Sequence, residues 1–308
     1  MINRVIIRIK LLQVVYSYYQ KNSTDLSLAE KELMFSLQKS YDLYHYLLLL
    51  IPALTDAEQK RLDLRKHKYL VTSEELNPNM RFANNRFAEQ LRRNKQLQKF
   101  YHENGAIWTD DDTNFIKSLL ETILDSEIYK SYLTSNDNYN SDQEFWRKVF
   151  KDIIYRSEEL CDFLEDKSIY WNDDIDIIGT FVLKTIKRFD EETGEELELL
   201  PMFKSEEDRE FAIGLLHKTI LNGEEYNEYI NRHIKNWDLE RIANMDLYIM
   251  QIAIAELLNF PSIPINVTLN EYIDIAKFYS TSKSGTFING ILDSIVGELK
   301  KENKLFKN

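Results

Sequence analysis

Cysteine is almost missing: Cys161 is the only one in 308 residues. No internal disulfide can form, and a reducing cytoplasm suits such a chain. Glycine (8) and proline (5) are also scarce. Strand turns draw on those residues, so their shortage favours long helices over a β-rich fold. The longest purely apolar run, residues 46–51, stops at Pro52, far short of the roughly 20 residues that cross a bilayer. The first twenty residues carry charges inside their apolar part and have no cleavage site, so neither a signal peptide nor a membrane association is expected.

Catalytic signatures are missing as well. There is no glycine-rich phosphate loop, no His-Glu-x-x-His and no cysteine pair. His45, His67, His102, His217 and His233 are scattered, whereas zinc needs three or four clustered ligands. The acid pairs Asp173-Asp174 and Glu206-Glu207 stand at predicted helix starts, where capping explains them. With nothing to assemble into a site, the chain is expected to be no enzyme and to need no cofactor or metal.

What is present is an ordinary globular composition, 44% hydrophobic and 29% charged. Net charge is −12, which argues against bulk nucleic-acid binding, but its distribution matters more than its sum. Residues 1–21 carry Arg4, Arg8, Lys10 and Lys21 with no acid, and residues 60–99 carry eleven bases against four acids. The remainder therefore stands at −23, and two basic islands in an acidic body can set up a directional field.

Apolar spacing predicts helices over most of the chain. The first covers residues 3–20, the second residues 27–51, capped by Ser27 and ended by Pro52. A basic, ring-bearing segment follows at residues 81–101. It reads either as a helix with a solvated charged face or as an extra RNA-backbone surface. Further helices are predicted at 109–133, 145–164, 175–189, 205–220, 224–234 and 237–258, with the acidic stretch 190–200 as a loop or small hairpin. Near the end, Thr268-Leu269-Asn270-Glu271 reads as a capping box. Leu269, Ile273, Ala276 and Phe278 then form a stripe, residues 279–285 break it, and Phe287, Ile288, Ile291, Leu292, Ile295 and Val296 restart it.

This last stretch resembles the end of the bacterial transcription antitermination factors of the NusB family. The matching residues are Pro264, Asn270, Glu271, Ala276, Lys277, Ser284, Phe287, Asn289, Gly290, Leu292 and Asp293, in order and without a gap. Trp237, Arg241, Asp246, Ile252, Glu256 and Leu257 fit the preceding family helix. Gln13-Val14-Val15-Tyr16 fits the end of the family's arginine-rich first helix, which puts Arg4 and Arg8 on arginine positions. Val5 and Ile6 replace commonly basic positions, and Leu247 and Gln251 stand where arginine is usual, which suggests re-packing against an inserted region.

The resemblance implies an all-α fold: a NusB-like helical bundle formed by residues 1–21 and 205–301, enlarged by an additional helical region at 22–204. It implies binding of boxA-like single-stranded leader RNA of ribosomal RNA operons, together with a NusE-like small-subunit ribosomal protein and the RNA polymerase elongation complex. The residues it points to are Arg4, Arg8, Lys10, Lys283, Ser284 and Phe287. Arg and Lys neutralise phosphates and an exposed ring offers a stacking platform, although a Phe at helical spacing also suits a core. Gly290 is expected to let helices approach closely, and Asn289 to cap or bridge them. Two other readings stand beside this one. A scaffold could keep the fold and lose RNA affinity, as −12 and the thinned arginines suggest. NusB-like modules also resemble the N-terminal part of some RNA cytosine methyltransferases, but this chain has no glycine-rich cofactor domain.

Overall fold

A computed structural model describes residues 1–66, 77–105, 107–234 and 242–305. The described chain is all α, with fourteen α-helices and one isolated parallel bridge between Ile2 and Phe203. It divides into two compact units: residues 38–202 with Met1, and residues 2–37 with 203–308.

Helix α1 (Arg4–Gln20) is capped by Asn3, whose side chain accepts the Ile6 N–H at 3.0 Å. Helix α2 (Leu26–Lys66) runs for 41 residues and contributes to both units. Its start is held by Asp25, which accepts the Leu28 N–H at 3.0 Å, so Asp25 does what was expected of Ser27. Pro52 does not end it. Proline removes one N–H and costs about 3 kcal/mol in a helix interior. Here Leu47, Leu48, Leu50, Ile51 and Leu54 are buried on both sides of it, and a buried aliphatic side chain contributes about 1.5–3 kcal/mol. Burial therefore outweighs the break.

The first unit continues with α3 (Arg86–Arg93), α4 (Lys95–Asn104), α5 (Thr113–Asp125), α6 (Glu127–Thr134), α7 (Tyr139–Asp152), α8 (Glu158–Lys167) and α9 (Ile175–Arg188). Three stretches that periodicity joins are cut by short polar residues. Asn94, Ser126 and Ser157 each turn a side chain onto the N–H groups of the next helix, where such residues compete with helical hydrogen bonds. Fully buried Phe82, Phe87, Trp146 and Phe150 help fill the core. The acidic stretch is a loop with one 3-10 turn, Gly194–Glu196. Gly194 lies over Gln90, where an added Cβ would overlap the amide.

The second unit holds α1, the start of α2, and then α10 (Glu206–Leu221), α11 (Gly223–His233), α12 (Asn244–Asn259), α13 (Ile265–Tyr279) and α14 (Ser284–Lys301). Trp237, Leu239 and Arg241, expected at the start of a longer α12, lie outside the described residues. α12 is the axial element, buried without a gap from Tyr248 to Leu257. α13 begins earlier than the capping-box reading allows. Pro264 occupies the cap, its carbonyl accepting the N–H groups of Val267 and Thr268 at 3.1 Å. Thr268 is thereby inside the helix, and its hydroxyl is free to turn inward.

Candidate nucleic-acid interface

The residue it turns to is Glu256, which is wholly buried on α12. The Glu256 carboxylate accepts from Arg8 Nε and Nη2, both at 2.8 Å, and from the Thr268 and Tyr272 hydroxyls, both at 2.9 Å. Arg8 Nη1 reaches Glu271 at 3.3 Å. Burial by itself would weaken the charged guanidinium. The Glu256 hydrogen bonds and the negative side chains around it prevail, and the Arg8 pKa rises above its ordinary value. Burial, then the Glu256 charge, holds the Tyr272 phenol well above the usual range.

This arrangement corrects the expectation for Arg8. Each of its three nitrogens donates to a carboxylate inside the protein and its side chain is 3% exposed, so it fastens α1 to α12 and α13. Lys10 is buried as well. So is Ser284, whose hydroxyl donates to Asp246 Oδ2 at 2.9 Å and fixes the start of α14 onto α12. Burial took these three because each falls on the packed side of its helix, which charge and capping signals do not report.

Arg4 is half-buried, at 3.4 Å from Asp208 with its guanidinium over the Phe211 ring. Lys283 is exposed and forms no ion pair among the described residues. Phe287 is half-buried. Phe278, expected in the core stripe, is instead 86% exposed. The buried face of α13 follows Leu269, Tyr272, Ile275 and Ala276, and Phe278 falls on the opposite side at 100° per residue. Gly290 brings no helix close, since an added Cβ there would meet nothing within 4 Å. Gly285 does, with an added Cβ 3.3 Å from Lys277 and 3.7 Å from the Ile273 carbonyl of α13.

Helix α12 also measures how far the pieces stand apart. Arg8 is level with Glu256 and Ser284 with Asp246, a separation of about 15 Å along a helix axis. The beginning of α1 is therefore not beside the 280–283 loop. Its last turn lies against Tyr248: Tyr19 stacks on Tyr248 with ring centroids 5.0 Å apart, and Tyr16 packs edge-on against the same ring at 6.0 Å. Tyr16, Gln20 and Lys21 are exposed at this end. Lys21 and Phe278 are surface candidates that motif matching passed over; the basic count of α1 and the phase of α13 held the signals.

Gln251, expected to re-pack against inserted sequence, packs within its own unit. Its amide donates to Asn227 Oδ1 at 2.7 Å and lies 3.5 Å from the Gly223 carbonyl of α11.

Comparison with known proteins matches residues 174–297 to the NusB family. A transcription antitermination protein NusB from Salinibacter ruber is 40% identical over 108 residues, 35% of this chain and 68% of the relative. The chain belongs to the NusB family. Further NusB relatives come from Koribacter versatilis, 42% identical over 99 residues (32% of this chain, 68% of the relative), and Chloroherpeton thalassium, 41% over 100 residues (32% and 47%). No solved structure matches. The NusB match opens at Asp174, so it takes in α9 of the first unit before running through the second.

Proposed function

We propose that this NusB-family protein is a non-catalytic transcription antitermination factor of the cytoplasm. It binds boxA-like single-stranded leader RNA of ribosomal RNA operons together with a NusE-like small-subunit ribosomal protein, and acts on the RNA polymerase elongation complex. The second unit is its RNA-binding core; α9 belongs with the family part, so the added region is narrower than 22–204 and lies ahead of Asp174.

The observation that carries this reading is the surface around the 280–283 loop. Lys283, unpaired among the described residues, stands beside the start of α14, and Phe278, 86% exposed, closes α13 five residues earlier. A cation for phosphate and a bare ring for a base are the two elements single-strand binding needs. Phe287, in the first turn of α14, extends this surface; Tyr16 and Lys21 are exposed at the end of α1, and Arg4 lies near its start. Arg8, Lys10 and Ser284 act behind it by holding α1 and α14 in place.

The test is a titration of labelled leader RNA at two salt concentrations, with and without the ribosomal partner. Affinity should fall with salt and drop on Lys283→Ala. Salt-independent affinity that Lys283→Ala leaves alone would overturn the reading. Burial of Arg8 and Lys10 favours one alternative, a scaffold with weak RNA affinity; capture of the ribosomal partner without RNA would select it.

A further inference from the structure

The basic segment of the first unit is largely consumed by its own acids. Arg86 pairs with Asp137 and Asp142, Arg92 with Asp56 and Glu89, and Arg93 with Glu89 and Glu195. Lys95 holds Glu196, Lys99 lies near Glu103, and Arg81 donates to the carbonyls of Ser135 and Asn136. These charges build the unit. Lys60 and Arg65 are different: both are exposed and neither forms an ion pair among the described residues. Lys117, on α5, is a third such cation.

All three line one cavity of about 910 Å³, bounded by the second half of α2, by α4 and by α5. That volume lies within the range of small-molecule sites, about 300–1,000 Å³. Its floor is apolar, with Pro52, Ala53, Ala57 and Leu97. Leu64 (74% exposed) and Tyr101 (44% exposed) also line it, two large apolar groups turned to an opening instead of to a core. Tyr101 and His102 add two exposed rings, and Trp108, whose indole packs on Tyr46, Phe115 and Phe163, borders the cavity from that cluster. Trp108 holds a left-handed backbone with φ of 57°, a conformation that costs a non-glycine residue energy and recurs at binding sites. Of the five lining cations, Arg61 is paired with Glu58 and Arg92 with Asp56 and Glu89, which leaves Lys60, Arg65 and Lys117 against Asp110 and Glu121 in a protein of net charge −12.

We propose that this cavity binds a nucleotide unit: a heteroaromatic base among the rings and apolar floor, its phosphate on Lys60, Arg65 and Lys117. An aliphatic anion would leave the rings unused, and a bare phosphate would leave the floor exposed to water. The nucleotide comes either as a free mononucleotide or as one residue of a single strand. The inference is independent of the RNA surface proposed for the second unit.

The experiment is isothermal titration of the full chain with adenosine and uridine monophosphates, a short oligouridylate and inorganic pyrophosphate. It is run on the parent, on K60A/R65A/K117A, on Ala57→Phe, which fills the floor without changing charge, and on Lys283→Ala. Helical circular dichroism and Tm verify that each variant is folded. Binding of a nucleotide or the oligonucleotide should weaken about tenfold or more in the triple variant, since each phosphate-facing cation contributes through counterion release. Mononucleotide binding should be lost in Ala57→Phe and kept in Lys283→Ala; for the oligonucleotide, which can also meet Lys283, the cavity is read from the part lost in Ala57→Phe. Saturation by a monophosphate makes the free nucleotide the source; oligonucleotide binding that is lost in Ala57→Phe, with no monophosphate binding, makes it the strand. The proposal is overturned if none of the nucleotide probes binds, if the cavity variants leave their binding unchanged, or if pyrophosphate binds as tightly as the nucleotides. Retained nucleotide binding in Lys283→Ala separates this outcome from the fate of the leader-RNA reading.

Discussion

Arg8 and Glu256, 248 residues apart in sequence, meet through two parallel hydrogen bonds of 2.8 Å with both side chains closed to water. Breaking such a buried pair from one side strands the other charge and costs about 3–5 kcal/mol. Arg8→Ala and Glu256→Ala are each expected to lower unfolding free energy by that amount, read from the denaturant midpoint. Arg8→Ala should leave the salt dependence of RNA binding unchanged in the protein that remains folded. A loss of salt dependence without a loss of stability would return Arg8 to the RNA surface.

Phe278→Ala removes an exposed ring and should change stability by no more than about 0.5 kcal/mol. If a base stacks there, affinity for single-stranded leader RNA should fall by about 1–3 kcal/mol. Lys283→Ala should instead flatten the slope of log affinity against log salt by about one. Equal effects of salt on parent and Lys283→Ala would remove that lysine from the contact.

Ser284→Ala takes the donor from Asp246 Oδ2 while Oδ1 already has no partner among the described residues. A buried acceptor left unsatisfied costs about 1–3 kcal/mol. Thermal unfolding should register that loss, and faster hydrogen exchange at the start of α14 should accompany it. A variant as stable as the parent would mean that Asp246 is held by something else.

His45 is buried, its Nδ1 lies 2.9 Å from the Tyr41 carbonyl, and it stacks on Phe100. Burial lowers its pKa, more than the Tyr41 hydrogen bond and the Asp42 charge raise it. The fold therefore prefers the neutral ring, while the unfolded chain takes up a proton near about pH 6.5. Stability from this group is complete above that pH and is lost as pH falls towards the lower folded value. Between about pH 7.5 and 5.5 the parent should lose more Tm than His45→Phe does. Parallel losses would assign the pH dependence to other groups.

Periodicity and end signals found most helices, and the residues around Asn289-Gly290 pointed to the family. What they could not resolve was decided by tertiary contact. Thr268 reads as a cap until Glu256 is known to need donors. Pro52 reads as a terminator until burial on both sides is weighed. Arg4, Arg8 and Lys10 look alike in a charge count, yet Arg8 and Lys10 are interior and Arg4 is half-buried. Phe278 is the reverse case, where counting 100° from Tyr272 would have set it outside. The cavity drew residues from α2, α4 and α5 together, and no local pattern announces such convergence.

The contact between α1 and α12 also bears on how the chain is born. At about 5–20 residues per second, the ribosome needs roughly 10–50 seconds to pass from Arg8 to Glu256. Through that interval Ile6, Ile7, Leu11 and Leu12 have no α12 to cover them. The intervening residues 38–202 form a contiguous unit that can close while α1 waits. During translation, α1 emerges well ahead of the helix it packs on, and its apolar face stays open until α12 follows.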